Sequence, residues 1–465
     1  MLFVVLVFSI KNMLYRYYTC IAFFMKWEEY EMKIQNVKGG YDFLPQEQKV
    51  RNYINGVLKE TFEEYGYGPI ETPILCYFDM LSGKYDEQND ILKEIYRLRD
   101  QGNRELGLRY DLTVPFAKLI ALNKNQLKMP FKRYEIAKVF RDGPVKVGRD
   151  REFTQCDVDV VGLSGQMIEA ELLNLYINAF KKLNIEIIIK YNSRSLMSGL
   201  ILDCGIEEEL VSTVVTVVDK MEKLSKEEFK DQLEEIGLNE NQITKLLEYF
   251  TLSLEELNEK LKDTNNEKVK IGLEELNKLA EYIKGLKIEE YCVFTSTLAR
   301  GQDYYTGNVF EVYEKNKRLT GSIGGGGRYD NMITEFIDDG TSYPAVGISF
   351  GLTSIYELLK NDARFEEVPQ VDIFIIPMNT EIESLNLATK LRNLGVKVEI
   401  EMSRKKVKKS LDFANKEKIP FVIVLGEEEI QNKMFNLKNM NTSEQIEISF
   451  DNLEKIVAII KKISV

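Results

Sequence analysis

The sequence predicts an α+β body with an antiparallel strand pair, interrupted by a helical insertion and followed by a separate α/β domain. Three observations predict it. Two alternating, strand-like runs at 131–140 and 152–161 flank a charged loop, the pattern of an antiparallel hairpin. Residues 206–285 are almost purely helical in pattern and highly charged, with Glu and Lys at i, i+4 spacings. From residue 370 onward, strand-like and helical runs follow a β-α-β-α-β order over roughly a hundred residues, an ordinary size for one domain.

Composition narrows the function classes. With 465 residues and 44% hydrophobic content the chain exceeds what one core fills, so two or three domains are expected. A net charge of −12 argues against a broadly cationic nucleic-acid coat and confines any RNA contact to a local basic patch. Cys20, Cys76, Cys156, Cys204 and Cys292 are far apart and never spaced Cys-x-x-Cys, which disfavours a disulfide framework or zinc ribbon and fits the reducing cytoplasm. The chain contains no histidine, which excludes Ser-His-Asp and Cys-His catalysis and His-ligated zinc. Chemistry is left to Arg, carboxylates, Tyr, Gln, backbone and bound metal.

Taken in order, residues 1–31 open on an apolar run too short for a bilayer span and without a basic leader, so they are expected to be a non-native or disordered extension, with Met32 as the working start. Apolar residues recur at helical spacing over 46–65, and a short strand runs to Leu75. A strand-like block at 95–111 leads into a helix at 114–122. Residues 165–183 read as helix and 185–191 as strand. Strands are expected through 291–313 and 319–324, followed by the glycine run 324–327 and a helix-like segment from 345. Beyond a charged link near 366–370, strands at 371–377, 397–402 and 421–426 alternate with helices at 380–394 and 403–418, and a helix from about 451 closes the chain. The expected domains are 32–205 and 289–365 as two parts of one body, 206–288 as the insertion, and 370–465.

The segment 298–313, LARGQDYYTGNVFEVY, sets Arg300, Tyr304 and Tyr305 among strand formers and reads as the floor of a ligand pocket. The segment 138–162, KVFRDGPVKVGRDREFTQCDVDVVG, arranges Arg141, Lys146, Arg149 and Arg151 around the loop, then Gln155, Asp157 and Asp159 on one strand face, because side-chain direction repeats every two residues. Such groups are costly to bury without partners, and a ligand with an amine and a ring N–H would satisfy them. The segment LRYDLTVP offers Asp111 and Thr113. The run GSIGGGGRYDNMI lacks the Gly-Lys-Ser/Thr ending of a phosphate loop, and its glycines fit close approach of the backbone to a ligand instead. Arg404, Lys405, Lys406, Lys408 and Lys409 form the densest basic cluster, a solvated helix face or a place for phosphate contacts.

From about Met32 onward, the chain resembles the histidyl-tRNA synthetases, a family of class II aminoacyl-tRNA synthetases. Residues 46–75 resemble motif 1, 138–162 resemble motif 2, and 298–313 with the glycine run resemble the two histidine-specific signatures. The last domain resembles the family's anticodon-binding domain. The resemblance implies a six-stranded antiparallel catalytic sheet, a homodimer, a cytoplasmic location, and ATP with Mg²⁺, histidine and tRNA(His) as reactants and partners. Carried over by position, Asp111 and Thr113 hold the α-amino group with Gln155 nearby, while Asp159 and Tyr305, with Tyr304 beside it, read the imidazole. Arg141 grips the α-phosphate, Arg149 or Arg151 the outer phosphates, and Arg300 is the electrophilic catalyst. No dedicated metal ligand is identified.

One departure stands out. Thr353 and Ser354 occupy the positions where motif 3 carries an acidic residue and an ATP-binding arginine, and Gly143 replaces a common acidic residue of motif 2. Lys146, Arg149, Arg151 or Arg328 are the candidates to compensate. The same departure sustains a second reading, the synthetase-like regulatory subunit of ATP phosphoribosyltransferase, against which the C-terminal α/β domain argues.

Overall fold

The computed structural model describes residues 34–83, 90–221, 224–299, 304–365 and 369–463. The expectations for residues 1–31 and for Arg300 fall outside them. The chain divides into two compact units after Lys360.

The first unit is built on an eight-stranded sheet. In chain order its strands, and those of a small flanking sheet, are β1 (Gly68–Pro69), β2 (Leu75–Tyr77), β3 (Arg97–Arg99), β4 (Glu105–Leu108), β5 (Phe131–Phe140), β6 (Glu152–Val161), β7 (Ile187–Ser193), β8 (Cys292–Phe294), β9 (Asn308–Glu314), β10 (Gly324–Arg328) and β11 (Ala345–Gly351). The spatial order is β1-β5-β6-β11-β10-β9-β7-β8, while β2, β4 and β3 form the flanking three-stranded sheet. The six central strands are antiparallel throughout, and β1 and β8 add to the edges in parallel.

Alternation decides what each face of this sheet meets. Cys156, Val158 and Val160 of β6 and Phe350 of β11 are fully buried. Phe350 packs against Phe62 of the helix Pro45–Glu64 and against Tyr176 and Phe180 of the helix Met167–Leu183, with ring centroids 4.5 to 5.5 Å apart. Those two helices cover one face. The first begins with a proline in its first turn, and the Glu47 carboxylate accepts the Leu44 N–H at 2.8 Å, which together fix where it starts. Gln155, Asp157 and Asp159 project from the opposite face.

The helical block comprises Val211–Val218, Lys226–Glu235, Glu240–Thr251, Leu254–Lys260 and Glu267–Leu286, and it belongs to the first unit. Ser225, Asn239 and Ser253 cap three of these helices with their side chains. The longest lies against the helix Arg194–Asp203 at backbone distance. A Cβ on Gly272 would stand 2.3 Å from the Leu196 nitrogen, and one on Gly199 would stand 2.6 Å from the Val269 nitrogen.

The second unit is a five-stranded mixed sheet of order β13-β12-β14-β15-β16, from β12 (Ile373–Pro377), β13 (Val398–Ile400), β14 (Phe421–Leu425), β15 (Met434–Asn439) and β16 (Gln445–Ser449). The first three are parallel, and the last two return antiparallel. Helices cover both faces: Leu387, Leu391 and Ile456 meet Ile373, Ile375 and Ile423 on one side, and Ala414 meets Phe374, Ile376 and Val422 on the other.

Three segments differ from the sequence reading. The strand expected at 319–324 lies later, and the glycine run expected to follow it is itself β10, held between β9 and β11. The segment from 345 begins as strand β11, with the helix Leu352–Leu359 following it. Among the described residues of the expected strands at 291–313, β8 and β9 are the regular ones. The hairpin of β15 and β16 has no counterpart in that reading.

Candidate active site

The open face of the central sheet carries a cleft of about 220 Å³. Its floor is set by register. On β5 and β6, Arg133 stands opposite Asp159 and Glu135 opposite Asp157, while Asp159, Asp157 and Gln155 face Gly347, Ser349 and Gly351 on β11. At Gly347 a glycine is required by close approach, since a Cβ there would lie 1.8 Å from Asp159 Oδ1. Gly327 makes similar room for the Tyr305 ring, 2.8 Å from where its Cβ would be.

Asp111, Thr113, Arg141, Gln155, Asp159, Tyr304 and Tyr305 all line this one cleft, although they come from distant parts of the chain. Asp111 precedes the helix Thr113–Asn123, and its Oδ1 accepts the Val114 N–H at 3.1 Å. Arg141 leaves the end of β5 with its Nε donating to the Tyr110 carbonyl at 3.0 Å and its guanidinium 5.2 Å from the Phe153 ring centroid. Tyr304 and Tyr305 sit with ring centroids 4.8 Å apart.

Arg149 and Arg151 are not among the lining residues. Arg149 pairs with Glu94 at 2.8 Å and Arg151 with Asp142 at 3.2 Å, so both lie on the loop between β5 and β6 with carboxylate partners. Of the candidates to replace the motif 3 arginine, Arg328 is excluded by geometry. It is buried, 2.6 Å from Glu169 and 3.2 Å from Asp330, and its Nη2 donates to the Gly165 carbonyl. Lys146 lines a neighbouring hollow, which shares Gly148 and Thr353 with the cleft. Ser354 lines the cleft itself, its hydroxyl 3.5 Å from the Gly148 carbonyl.

Sequence reasoning placed Asp157 on the ligand-facing strand face without a role of its own and did not single out Tyr329, Phe153 or Ser349, yet all four line the cleft. Asp157 carried a signal, since it shares the strand face with Gln155 and Asp159. Tyr329 carried none, because its hydroxyl reaches Asp159 across the sheet only once β10 lies beside β11.

The electrostatics are those of a cation-binding site. Asp111, Asp157 and Asp159 line the cleft against the guanidinium of Arg141. Behind them Arg133 Nη2 lies 2.6 Å from Asp159 Oδ2, and Arg109 Nη1 lies 3.1 Å from Glu135 Oε1, all four side chains almost without solvent contact. Burial pushes the Asp111 carboxyl up to about 6, against the downward pull of the Val114 N–H. Burial likewise raises Asp157 and Asp159, with Arg133 opposing. A positively charged ligand would return these groups to their ionised form.

A six-stranded antiparallel sheet backed by two long helices, with motif residues converging on its open face, defines the class II aminoacyl-tRNA synthetase fold. The family model described as "Histidyl-tRNA synthetase" matches residues 39–355, and the one described as "Anticodon binding domain" matches 372–459. The chain belongs to the histidyl-tRNA synthetase family. It is 44% identical over 429 residues to a Bacillus cereus protein named Histidine–tRNA ligase 1, a match covering 91% of this chain and 99% of the relative. It is 42% identical to Histidine–tRNA ligase 2 of Shouchella clausii, over 90% of this chain and 98% of that one. Among solved structures, histidyl-tRNA synthetase from Nostoc matches with a TM-score of 0.78 at 27% identity, over 92% of this chain and 100% of that one. A Bacillus halodurans structure titled as an ATP phosphoribosyltransferase regulatory subunit/histidyl-tRNA synthetase matches with a TM-score of 0.71 at 23% identity, over 85% of this chain and 99% of that one, a likeness of fold alone.

Proposed function

We infer that this chain is a histidine–tRNA ligase, which activates histidine with ATP to histidyl-adenylate and then transfers the histidyl group to the 3′ end of tRNA(His). The observation that carries the reading is the convergence of Asp111, Gln155, Asp159, Tyr305 and Arg141 on one cleft of a family member. In the first step a histidine carboxylate oxygen attacks the α-phosphorus, the bond to the bridging oxygen of the β-phosphate breaks, and pyrophosphate leaves. In the second, a ribose hydroxyl of the terminal nucleotide attacks the activated carbonyl, gives up its proton, and AMP departs.

In this reading Asp111 and Thr113 hold the α-amino group beside Gln155, and Asp159, Tyr304 and Tyr305 bound the imidazole. Arg141 serves the α-phosphate, a role supported by its place in the cleft lining, with Nε held by the Tyr110 carbonyl and a guanidinium fork suited to phosphate. Arg300 is the electrophilic catalyst that stabilises the negative charge developing on the α-phosphate and the substrate carboxylate; losing such a donor typically costs about 3–4 kcal/mol in the transition state. Arg149 and Arg151 reach the outer phosphates by exchanging Glu94 and Asp142 for the triphosphate, which arrives with its Mg²⁺ as part of the substrate. The enzyme works as a cytoplasmic homodimer, with 32–205 and 289–365 as the two parts of its catalytic domain, 206–288 as the insertion and 370–465 reading the anticodon. No helix among the described residues is long and apolar enough to cross a membrane.

Ser354, in place of the motif 3 arginine, favours a second reading in which the chain binds histidine as a regulatory subunit and activates nothing. Histidine-dependent exchange of pyrophosphate into ATP, measured with Mg²⁺, separates the two. Exchange is expected; histidine binding without exchange across a Mg²⁺ titration would overturn the ligase reading in favour of the second.

A further inference from the structure

The cleft offers more acceptors than these roles use. Four lining side-chain oxygens, each shut off from solvent, have no hydrogen-bond partner among the described residues: Asp111 Oδ2, Gln155 Oε1, Asp157 Oδ1 and Asp159 Oδ2, and the first three have no ion-pair partner there either. An orphaned buried acceptor costs about 1–3 kcal/mol, so three in one cleft point to a ligand that satisfies them together. Asp159 differs from them. Its Oδ2 faces Arg133 at 2.6 Å and its Oδ1 accepts the Tyr329 hydroxyl.

Asp157 sits between the two ends of the floor. On β6 it follows Gln155 by two residues and precedes Asp159 by two, and it is flanked by Glu135 on β5 and Ser349 on β11. The Ser349 hydroxyl hydrogen-bonds the Asp157 carboxylate and accepts the Gln155 amide at 3.3 Å, which fixes the two side chains relative to each other. Asp111 is held by its bond to Val114, which leaves Oδ2 for the cleft. The donor best able to serve several acceptors of one cleft is an alkylammonium, with three N–H bonds and one positive charge. A neutral imidazole has a single N–H and leaves two of the three unserved.

We propose that Asp157 is a further acceptor of the substrate's α-ammonium group, joining Asp111, Thr113 and Gln155 in a cradle that makes a free amino group a condition of binding. The proposal rests on the reading of the cleft as a histidine site. The buried carboxyls are held towards their neutral form in the free protein, so the ammonium ionises them as it enters and gains from each.

The test is calorimetric binding of histidine and of imidazolepropionate, the same molecule without its amino group, to the full chain and to Asp157→Asn. Histidine is expected to bind the variant roughly 10- to 100-fold more weakly, while imidazolepropionate changes by less than about twofold. Asp157→Ser repeats the comparison if Asp157→Asn does not melt like the wild type. An equal loss for both ligands would assign Asp157 to the ring or to structure and overturn the proposal, as would no loss for either. A wild type that binds no histidine would instead overturn the histidine-site reading, a result distinguishable from either of these.

Discussion

Asp111 shows how a single buried carboxyl links the site to stability. Its carboxyl titrates at about 6 in the fold against an ordinary value of 3.8, because it is buried with one oxygen unserved. Between those values the folded chain keeps a proton that the unfolded chain has released, so stability falls as pH rises from about 4 to about 6, by up to ~3 kcal/mol for this group, and is level above that window. The difference in unfolding free energy between wild type and Asp111→Asn should therefore decline across that window. A difference that stays flat from pH 4 to 7 would remove the assignment. The residue pattern made Asp111, Gln155 and Asp159 legible because period-two alternation and short motifs are local. It left Tyr329 and Arg133 out because their partners are fixed by strand order, which no local window contains. Ser354 was legible as a departure, and the structure adds that Arg328 does not make it good, being held by Glu169 and Asp330.

At the scale of elements, the packing of the helices Arg194–Asp203 and Glu267–Leu286 depends on having no side chain at Gly272. Replacing it with leucine would drive a branched chain into the Leu196 backbone, 2.3 Å from the new Cβ, at a cost of ~3 kcal/mol or more. Gly285 lies on the same helix with nothing within 4 Å of its would-be Cβ, so Gly285→Ala should be neutral or stabilise by up to ~1 kcal/mol. Urea unfolding of the two variants checks the contrast, and a Gly272→Leu midpoint equal to wild type would mean that the helices separate freely. Strands with clean alternation were legible to the residue: β5 and β6 begin and end where the pattern does. The glycine run carries no side-chain pattern, so β10 was invisible, whereas β11 does alternate, with Val346, Ile348 and Phe350 set between small residues, a signal that the helical reading from 345 passed over. The hairpin β15–β16 was missed although Phe435 and Leu437 alternate around Asn436, and Ile446 and Ile448 around Glu447, because each alternating run is only about three residues long.

At the scale of the whole chain, the charge distribution separates two kinds of recognition. The net charge is −12, and the cleft in the first unit is lined by carboxylates, whereas Arg404, Lys405, Lys406, Lys408 and Lys409 are all exposed within six positions of the second unit. A polyanion binding an acidic protein must find such a cluster, since each phosphate neutralised there releases cations condensed on the RNA, whereas the acidic remainder of the surface repels it. Replacing the five cations with glutamine in the full chain should lower the slope of log affinity for tRNA against log salt by about 0.7–0.9 for each phosphate no longer neutralised. Charging at low tRNA concentration should fall at least ~10-fold, since removing two phosphate-bound cations at about 1 kcal/mol each already exceeds that factor. Pyrophosphate exchange needs only histidine and ATP in the first unit and should stay at the wild-type rate. An unchanged salt slope, or exchange that falls in step with charging, would show that this cluster is merely solvated surface and that the tRNA phosphates are gripped elsewhere.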